Sequence, residues 1–476
     1  MKSIVLFFSL IVFVFTACQN KTAPKETSTL CSLYQRATGD PQTMVLTSYK
    51  TTLVANGTDE ALLRISVVDS TGLELMDAGL PFEISVIGDA TLLNEDHTVF
   101  RASEVTDSIS IWKSALNDGL KNFILRVGQT AGKINVEVKS DSLWAASTEI
   151  HTIPADVQLM TPTAEQLKPS QTIAPKMIGA DISFLPQLEG RGMKFYDQGI
   201  EKDAIAILKD HGLNYVRLRL FVNPENEKGY SPEKGYCGLD STLKMAHRVK
   251  DAGMKFLLDF HYSDYWADPQ QQFKPKAWEG QDFEELKATL REYTKSTLLK
   301  FKDEGVLPDM VQVGNEINHG LVWPDGHISH LDHLAELLKA GVAACREVDP
   351  QIVIMMHVAL GGQNQEAVFW YDNMIARGVD FDVIGLSYYP RWHGTLDDLQ
   401  FNLNDLAARY HKDVNVVEYS AFKQEVHDIV FNVPENRGNG ACIWEPLNTW
   451  SRVFDQQGKA TESISIYDEL HEKYLE

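Results

Sequence analysis

The chain has 476 residues, 44% of them hydrophobic, and a formal net charge of −22. This length favours more than one domain, and the hydrophobic content is ample for a large core. The acidic balance argues against nucleic acid or an anionic membrane surface as a partner. It also favours a neutral substrate over a strongly anionic one.

The N-terminus has the pattern of an export signal. Lys2 precedes an apolar run over residues 4–15, which is too short to span a membrane, and small residues follow. Thr16-Ala17-Cys18 is similar to a bacterial lipobox. We therefore expect a lipoprotein signal peptide over 1–17 and lipid on Cys18, which anchors the protein in the outer membrane. We expect it on the cell surface, with the periplasmic face as the open alternative. Plain secretion with cleavage nearby is the alternative.

Residues 18–43 are polar and rich in Thr, Ser and Lys, which predicts a flexible tether. Residues 44–154 predict an immunoglobulin-like β-sandwich with Trp112 and Trp144 in its core. Its strand-like alternating runs fall at 61–69, 80–88, 122–128 and 133–140. We expect a spacer, with glycan binding as the alternative role. The Pro-containing segment 155–176 is predicted to be a linker.

From residue 177 to 476, strand-like runs alternate with amphipathic helical stretches, the pattern of a parallel α/β fold. The runs fall at 177–182, 215–220, 255–260, 310–315, 352–357, 382–387, 414–418 and 441–445. Eight such units predict a (β/α)₈ TIM barrel. A doubly wound open sheet is the alternative. The Gly-x-Gly-x-x-Gly loop of its nucleotide-binding form does not follow the first run.

Two predicted strands end in glutamate, Glu316 after Asn315 and Glu418 after Val417. The carboxyl ends of barrel strands share one mouth, where active sites lie. A carboxyl group in such a partly desolvated position is costly. Two of them at one mouth are typical of glycoside hydrolysis, in which one protonates the leaving oxygen and the other attacks or activates water.

The other strand ends supply polar groups to the same mouth. They are Asp181, Arg217, Arg219, Asp259, His261, Asp264, His357, Ser387, Tyr388 and Glu445. We expect Tyr388 to donate to Glu418, an arginine of the second strand to keep that carboxyl ionised, and Asn315 to bind a sugar hydroxyl.

Aromatic residues support a sugar site, because indole rings stack on the apolar faces of pyranoses. Six tryptophans follow strand ends on the mouth side, namely Trp266, Trp278, Trp323, Trp392, Trp444 and Trp450.

A metal site is the competing interpretation of the mouth. Its ligands would come from Asp259, His261, Asp264, His319 and His357. The first strand ends in Asp181 rather than in the His-x-His of many barrel metallohydrolases, so we expect no metal. The four cysteines after Cys18, at 31, 237, 345 and 442, are too scattered for a disulfide scaffold or a zinc site and are predicted to be unpaired.

Over residues 176–476 the chain resembles glycoside hydrolase family 53, the endo-β-1,4-galactanases of clan A. The resemblance rests on GADIS (179–183), YVRLRLFVNP (215–224), LDFHYSDYWADP (258–269), GNEI with GLVWP (314–324), GLSYYP (385–390), VVE (416–418) and IWEP (443–446). It implies retaining cleavage of β-1,4-galactan in the type I (arabino)galactan of pectin, with Glu316 as acid/base and Glu418 as nucleophile. The remaining motif residues, Trp266 and Trp444 among them, would bind or support the substrate, and we expect the same of Trp392.

Three features depart from the family pattern. Tyr419-Ser420 follows Glu418 where the family usually has Thr, and Val-Ala-Leu-Gly-Gly follows His357 where an acidic pair is common. The stretch between Glu418 and Trp444 lacks the long loop around which bacterial relatives often hold calcium. The resemblance therefore implies no cofactor, with calcium as the open alternative.

Two other functions stay open from the sequence. One is a clan A glycosidase acting on another β-linked glycan. The other is a surface lipoprotein that binds glycan without cleaving it. In each case we expect a monomer whose only membrane contact is the N-terminal lipid.

Overall fold

The computed structural model describes residues 39–476 except 77, 107–108, 142, 168 and 448–450. The predicted signal peptide, Cys18, Cys31, most of the tether and Trp450 lie outside the described residues. Across the described part of the chain, no helix combines the length and apolarity needed to cross a bilayer.

The N-terminal part is a β-sandwich. Its strands are β1 (Thr43–Ser48), β2 (Thr52–Val54), β3 (Glu60–Val68), β4 (Pro81–Ile87), β5 (Ala90–Leu93), β6 (Glu104–Val105), β7 (Ile109–Ala115), β8 (Leu120–Val127), β9 (Gly132–Lys139) and β10 (Ala146–Ile153). One sheet has the order β1-β3-β8-β5 and the other β2-β10-β9-β4-β7-β6. Alternating apolar side chains of both sheets form one core, as the four predicted runs indicated. The immunoglobulin-like assignment stays a prediction.

The two tryptophans of the sandwich have opposite environments. Trp112 lies in β7, is 3% exposed and donates its indole N–H to the carbonyl of Phe100 at 2.8 Å. Trp144 is 76% exposed, so its predicted core position is wrong. It lies between β9 and β10, where strand alternation does not apply, and its carbonyl accepts from the N–H of Met44 in β1 at 3.1 Å.

The C-terminal part is a closed parallel barrel, which confirms all eight predicted strands. Barrel strands 1 to 8 are Met177–Asp181, Tyr215–Leu220, Lys255–Phe260, Met310–Val313, Val353–Val358, Val383–Tyr388, Asp413–Tyr419 and Gly438–Trp444. Strand 8 pairs with strand 1 from Met177↔Gly440 to Asp181↔Trp444, so the open-sheet alternative is wrong. Register shifts between strands 6, 7 and 8 are the bulges that re-aim side chains near the mouth.

Helices surround the barrel. They are Leu185–Gly190, Ala204–Asp210, Leu239–Asp251, Phe283–Asp303, Leu331–Val348, Asn364–Ala376, Pro390–His393, Leu396–Tyr410, Lys423–Phe431 and Ile466–Tyr474. The helix Phe283–Asp303 shows why they form. Asp282 and Glu285 make a reciprocal capping box at its start. Leu286, Leu290 and Leu298 then recur at helical spacing and are fully buried against the sheet.

Shorter elements complete the mouth. Two hairpins pair Tyr196–Asp197 with Ile200–Glu201 and Gly320–Leu321 with Gly326–His327. The loop after strand 7 is confined to residues 420–422, as the sequence predicted. Cys237, Cys345 and Cys442 are free and buried, which confirms three of the four predicted unpaired thiols.

The linker 155–176 runs to the end of the barrel opposite the mouth. The Gln166 side chain donates to the carbonyl of Ile375, where a helix ends, at 3.0 Å. The N–H of Ile173 donates to Asp413 Oδ2, at the start of strand 7, at 2.8 Å. Ile173 also packs on the apolar cluster that fills that end of the barrel. The linker thus spans the barrel's height, and this length of chain lets the sandwich lie at the mouth.

The sandwich is anchored to the mouth by polar and ring contacts. Thr51 Oγ1 donates to Glu366 Oε1 at 2.8 Å and lies 3.0 Å from His319 Nε2. The His151 ring stacks on His319 with centroids 3.9 Å apart, and its Nδ1 lies 3.0 Å from His327 Nε2. Burial lowers the pKa of all three histidines, which keeps them neutral at pH 7. A sandwich that only spaced the barrel from the membrane would not need these contacts with the mouth.

Candidate active site

Arg217, in strand 2, lies at the centre of the mouth and is fully buried. Its Nη1 lies 2.9 Å from Asp181 Oδ2 and 2.8 Å from Glu418 Oε1. Its Nη2 lies 2.9 Å from Asp259 Oδ2. Burial alone lowers the pKa of Arg217, but the three carboxylates outweigh it and the pKa rises. The guanidinium is therefore a permanent cation facing Glu418.

Two amides complete the coordination of Arg217. Its Nε donates to Gln312 Oε1 at 3.2 Å and its Nη2 to Asn315 Oδ1 at 2.8 Å. Asn315 Nδ2 donates to the carbonyl of Ala267 at 2.8 Å, which ties the loop after strand 3 to the site. Asn315 therefore lines the cavity, and its side-chain amide also holds the residues beneath the cavity in place.

The two predicted carboxyls lie side by side. One carboxylate oxygen of Glu316, one of Glu418 and a ring nitrogen of His357 lie within 4.8 Å of one another. Glu316 has the left-handed backbone conformation at φ 48°, which is costly for a residue with a side chain and is seen mainly where function requires it. Glu418 pairs with Ser387 across the bulge between strands 6 and 7.

A chain of hydrogen bonds positions Glu316. Ser387 Oγ donates to Glu316 Oε1 at 2.6 Å, and His357 Nε2 lies 2.8 Å from that hydroxyl. Gln312 Nε2 lies 3.0 Å from His357 Nδ1. Burial, with the charge of Arg217, lowers the pKa of His357, so the ring is neutral. Its Nδ1 then accepts from Gln312 and its Nε2–H donates to Ser387.

The surrounding charges give the two carboxyls different pKa values. Burial and the neighbouring charge of Glu418 raise the pKa of Glu316 well above its usual value. Burial also raises the pKa of Glu418, but Arg217 opposes that rise and it reaches only about 7. A shared proton therefore resides on Glu316, and Glu418 is the ionised member.

The tyrosine that contacts Glu418 is Tyr389, not Tyr388. Tyr389 donates its hydroxyl to Glu418 Oε2 at 2.9 Å, whereas Tyr388 donates to the carbonyl of Gly394 at 3.2 Å. The prediction is wrong by one residue because side chains alternate along a strand. Ser387 points into the barrel, so Tyr388 points out, and Tyr389 returns to the mouth.

A cavity of about 490 Å³ opens above the two carboxyls. Its barrel lining is Trp266, Asp268, Pro269, Gln270, Asn315, Glu316, Asn318, His319, Ala359, Gln363, Tyr389, Trp392, His393, Glu418 and Trp444. Three of the six predicted mouth tryptophans are in this list. Trp278 is instead buried against Tyr262 and Tyr293, and Trp323 packs on the sandwich beside His151.

Arg219 supports the aromatic lining. Its guanidinium lies 4.4 Å from the ring centre of Trp266 and 5.3 Å from that of Trp444. Its Nη1 lies 2.7 Å from Glu445 Oε1. Among the described residues, its Nε and Nη2 have no hydrogen-bond acceptor, so the rings surround that side of the cation.

The remaining predicted residues lie beneath or beside the cavity. His261 Nε2 lies 3.0 Å from Asp259 Oδ2, and its Nδ1 accepts from the N–H of Ala267 at 3.2 Å. Asp264 accepts from the backbone of Asn223 and Lys276, which fixes a loop rather than lining the cavity. His319 faces the sandwich. The described residues thus do not gather the five residues of the metal interpretation around one point, and the candidate cation-binding group there is the carboxyl pair with His357.

Sequence reasoning missed several contributors, among them Gln312, Tyr389 and one wall of the cavity. Gln312 is a polar residue within the buried strand MVQV, and that polarity was the available signal. Tyr389 was one position beyond the residue chosen. Six sandwich residues also line the cavity, namely Leu46, Ser48, Thr51, Ser147, Thr148 and Glu149. No local pattern marks them.

Comparison with known proteins adds to this geometry. The family model described as Glycosyl hydrolase family 53 matches residues 177–429. A protein of Niallia circulans, named only as an uncharacterized protein in the bgaB 5′ region, is 39% identical over 346 residues, covering 61% of this chain and 92% of that protein. The arabinogalactan endo-β-1,4-galactanase of Cellvibrio japonicus is 38% identical over 337 residues, 62% of this chain and 87% of that protein. The solved family 53 catalytic domain of Ignisphaera aggregans is 31% identical, with a TM-score of 0.59 over 64% of this chain and 98% of that one.

The Arg219–Glu445 pair yields a stability prediction. Arg219→Met removes the cation that lies 2.7 Å from the buried Glu445 carboxyl and should lower the free energy of unfolding by roughly 3–5 kcal/mol. Adding Glu445→Gln removes the carboxyl that faced that cation while keeping an acceptor for the N–H of Phe184, and should recover much of the loss. Urea unfolding followed by circular dichroism measures both.

Arg452→Met, at an exposed position of the barrel, is the control and should change the free energy of unfolding little. A double variant no more stable than Arg219→Met would contradict the electrostatic explanation and favour lost ring packing.

Proposed function

Because the chain belongs to glycosyl hydrolase family 53, we propose that it is a retaining endo-β-1,4-galactanase acting on type I (arabino)galactan. The observation that carries this proposal is the position of Glu316 and Glu418 side by side at the mouth, with one carboxylate oxygen of each within 4.8 Å of the other. Retaining glycosidases hold their carboxyls ~5–5.5 Å apart, whereas inverting ones leave room for a water between them. The galactanase name of the Cellvibrio japonicus relative supports the choice of substrate.

In the first step the bond between the anomeric carbon and the glycosidic oxygen breaks. Glu418, oriented by Arg217 and Tyr389, forms a new bond to the anomeric carbon through a carboxylate oxygen. Glu316 gives its proton to the departing oxygen, so the leaving chain departs as a neutral alcohol. Developing positive charge on the sugar ring is stabilised by the Glu418 carboxylate, which lines the cavity.

The second step uses the same residues in reversed roles. Burial and the charge of Glu418 both raise the pKa of Glu316, and once Glu418 is an ester it carries no charge, so the contribution of that charge disappears and the pKa falls. Glu316 is then a carboxylate that can take a proton from water. The hydroxide equivalent attacks the anomeric carbon, the ester bond to Glu418 breaks, and the sugar is released with its original anomeric configuration.

The activity itself is the first prediction from this mechanism. The full chain should release reducing ends from β-1,4-galactan in preference to mannan and xylan, and NMR should show the β-anomer in the first product. Glu316→Gln should abolish turnover of galactan while leaving galactan affinity largely intact, because the amide keeps the side chain's shape but has no transferable proton.

Three results would count against the proposal. An α-anomer in the first product would contradict the double displacement. Preference for mannan or xylan would be compatible with the double displacement but would show that galactan is not the substrate. Tight galactan binding by a wild-type protein that cleaves none of the glycans would favour the non-catalytic binding lipoprotein.

The Tyr389 contact generates a pH prediction. Tyr389→Phe removes a hydrogen bond that stabilises ionised Glu418, so the pKa of Glu418 should rise. Activity requires that carboxylate, so the acid limb of the kcat/KM profile should move to higher pH. We expect kcat/KM for galactan to fall roughly ten- to hundredfold near neutrality, the range for one hydrogen bond to a charged group.

Tyr388→Phe is the matched control, since it removes the neighbouring hydroxyl from its contact with Gly394. It should cost about 1 kcal/mol of stability and leave the pH profile in place. The reverse pattern, with the profile moved by Tyr388→Phe alone, would restore the assignment made from sequence.

We further propose that lipid on Cys18 anchors the enzyme at the cell surface, supported by the lipobox-like sequence and by a substrate too large to cross the envelope. Cys18→Ala should move the protein from the membrane fraction to the soluble fraction, whereas Cys31→Ala should leave it in the membrane. Protease added to intact cells should remove the wild-type protein. A protein that resists protease until the cells are lysed would instead face the periplasm.

A further inference from the structure

One flank of the catalytic cavity belongs to the sandwich. Leu46, Ser48 and Thr51 border it from β1 and the turn after it, and Ser147, Thr148 and Glu149 border it from β10. The family match begins at residue 177, so these residues lie outside it. The cavity is therefore built by two parts of the chain, and its shape depends on both.

Strand alternation explains why β10 presents polar groups to the cavity. Ala146 and Ile150 point into the sandwich core and are buried. Ser147, Glu149 and His151 point outward from the same strand. His151 is covered by the barrel, which fixes this face at the mouth, while Ser147 remains exposed beside the cavity.

Glu149 is held in a defined position. Lys133 Nζ lies 2.7 Å from Glu149 Oε1, and His151 Nε2 lies 2.9 Å from the same oxygen. Both contacts use Oε1, so Oε2 remains as an acceptor. A fixed carboxylate at the edge of a cavity is suited to accept hydrogen bonds from sugar hydroxyls.

Trp144 precedes the cavity-lining residues of β10. The carbonyl of its neighbour Ala145 accepts from Arg391 Nη2 at 3.3 Å, and Arg391 precedes Trp392, which lines the cavity and is 38% exposed. Most of the Trp144 side chain is open to solvent, so its indole ring is accessible to a ligand.

The flank lies on the side of the acid/base. The sandwich contacts His319 and His327, which follow Glu316 in the same loop, and Glu366 after strand 5. Under the proposed mechanism Glu316 protonates the departing oxygen, so the leaving part of the polymer passes along this side. Trp444, at the end of strand 8, lies on the other side with Glu445 and Arg219.

We propose that Trp144, Ser147 and Glu149 form a binding surface of the sandwich for the β-1,4-linked galactosyl units on the leaving-group side of the cleaved bond. The indole stacks on a sugar face and the strand's polar groups bind its hydroxyls. This surface rests on the proposed function, because the units it binds are those that the galactanase releases. It favours long chains over short ones.

The test compares full-length wild type with Trp144→Ala and Glu149→Gln on β-1,4-galacto-oligosaccharides of three to seven units, labelled at the reducing end, and on galactan. Relative to the trisaccharide, kcat/KM for the heptasaccharide and the polymer should fall roughly tenfold in Trp144→Ala, the magnitude of one lost aromatic contact. The labelled products should become shorter, because fewer units are held beyond the cleaved bond.

Phe401→Ala is the matched control. Phe401 is 61% exposed on the outer helix Leu396–Tyr410 and does not line the cavity, so its loss should leave the length dependence as in wild type. Thermal unfolding of each variant checks that the fold is kept.

Two outcomes would overturn the inference. The length dependence and product pattern of both sandwich variants could equal those of wild type, or the loss could be the same for every chain length. Either result with an active wild type leaves the proposed function standing. A wild type that cleaves no galactan would remove the proposed function itself, and the two failures are thereby distinguished.

Discussion

The candidate active site depends on one buried cation. Arg217 reaches Asp181 of strand 1, Asp259 of strand 3, Asn315 after strand 4 and Glu418 of strand 7. These groups come together only when the barrel closes. Several charges are removed from water there, which is costly unless each is paired. The closed barrel supplies that pairing, so forming the fold and forming the site are one event.

The same cation gives two glutamates of identical chemistry different roles in the proposed reaction. Glu418 is buried and Glu316 is half-buried, and removal from water raises the pKa of each. Arg217 contacts Glu418 directly, while Glu316 is held by Ser387 and the neutral ring of His357. A difference in neighbours, with the residue type unchanged, therefore decides which carboxyl is the acid and which the nucleophile.

The barrel and the carboxyl pair were predictable because each strand is a short apolar run that ends in polar residues. Tyr389 was missed because Ser387 and Tyr388 were both assigned to the mouth, although neighbouring residues of a strand face opposite sides, and the backbone of Tyr389 is still extended. Trp144 was misplaced for a different reason, since it precedes β10, where alternation does not apply. The cavity wall contributed by Ser147 and its neighbours results from docking between two parts of the chain. The hydrophobic periodicity of a strand or helix predicts which of its faces is buried. It does not predict where the folded sandwich packs on the barrel.

The course of the linker makes a conventional domain border misleading. A border at 177, where the family match begins, separates Ile173 from the barrel end that it covers and from Asp413. A deletion at that border would change the molecule at two opposite ends, removing a wall at the mouth and a cover at the base. Any exchange of sandwiches among such enzymes, natural or engineered, would have to carry the segment 155–176 with the barrel. The unit that is kept in such an exchange is then the barrel together with the linker 155–176, to which different sandwiches can be joined.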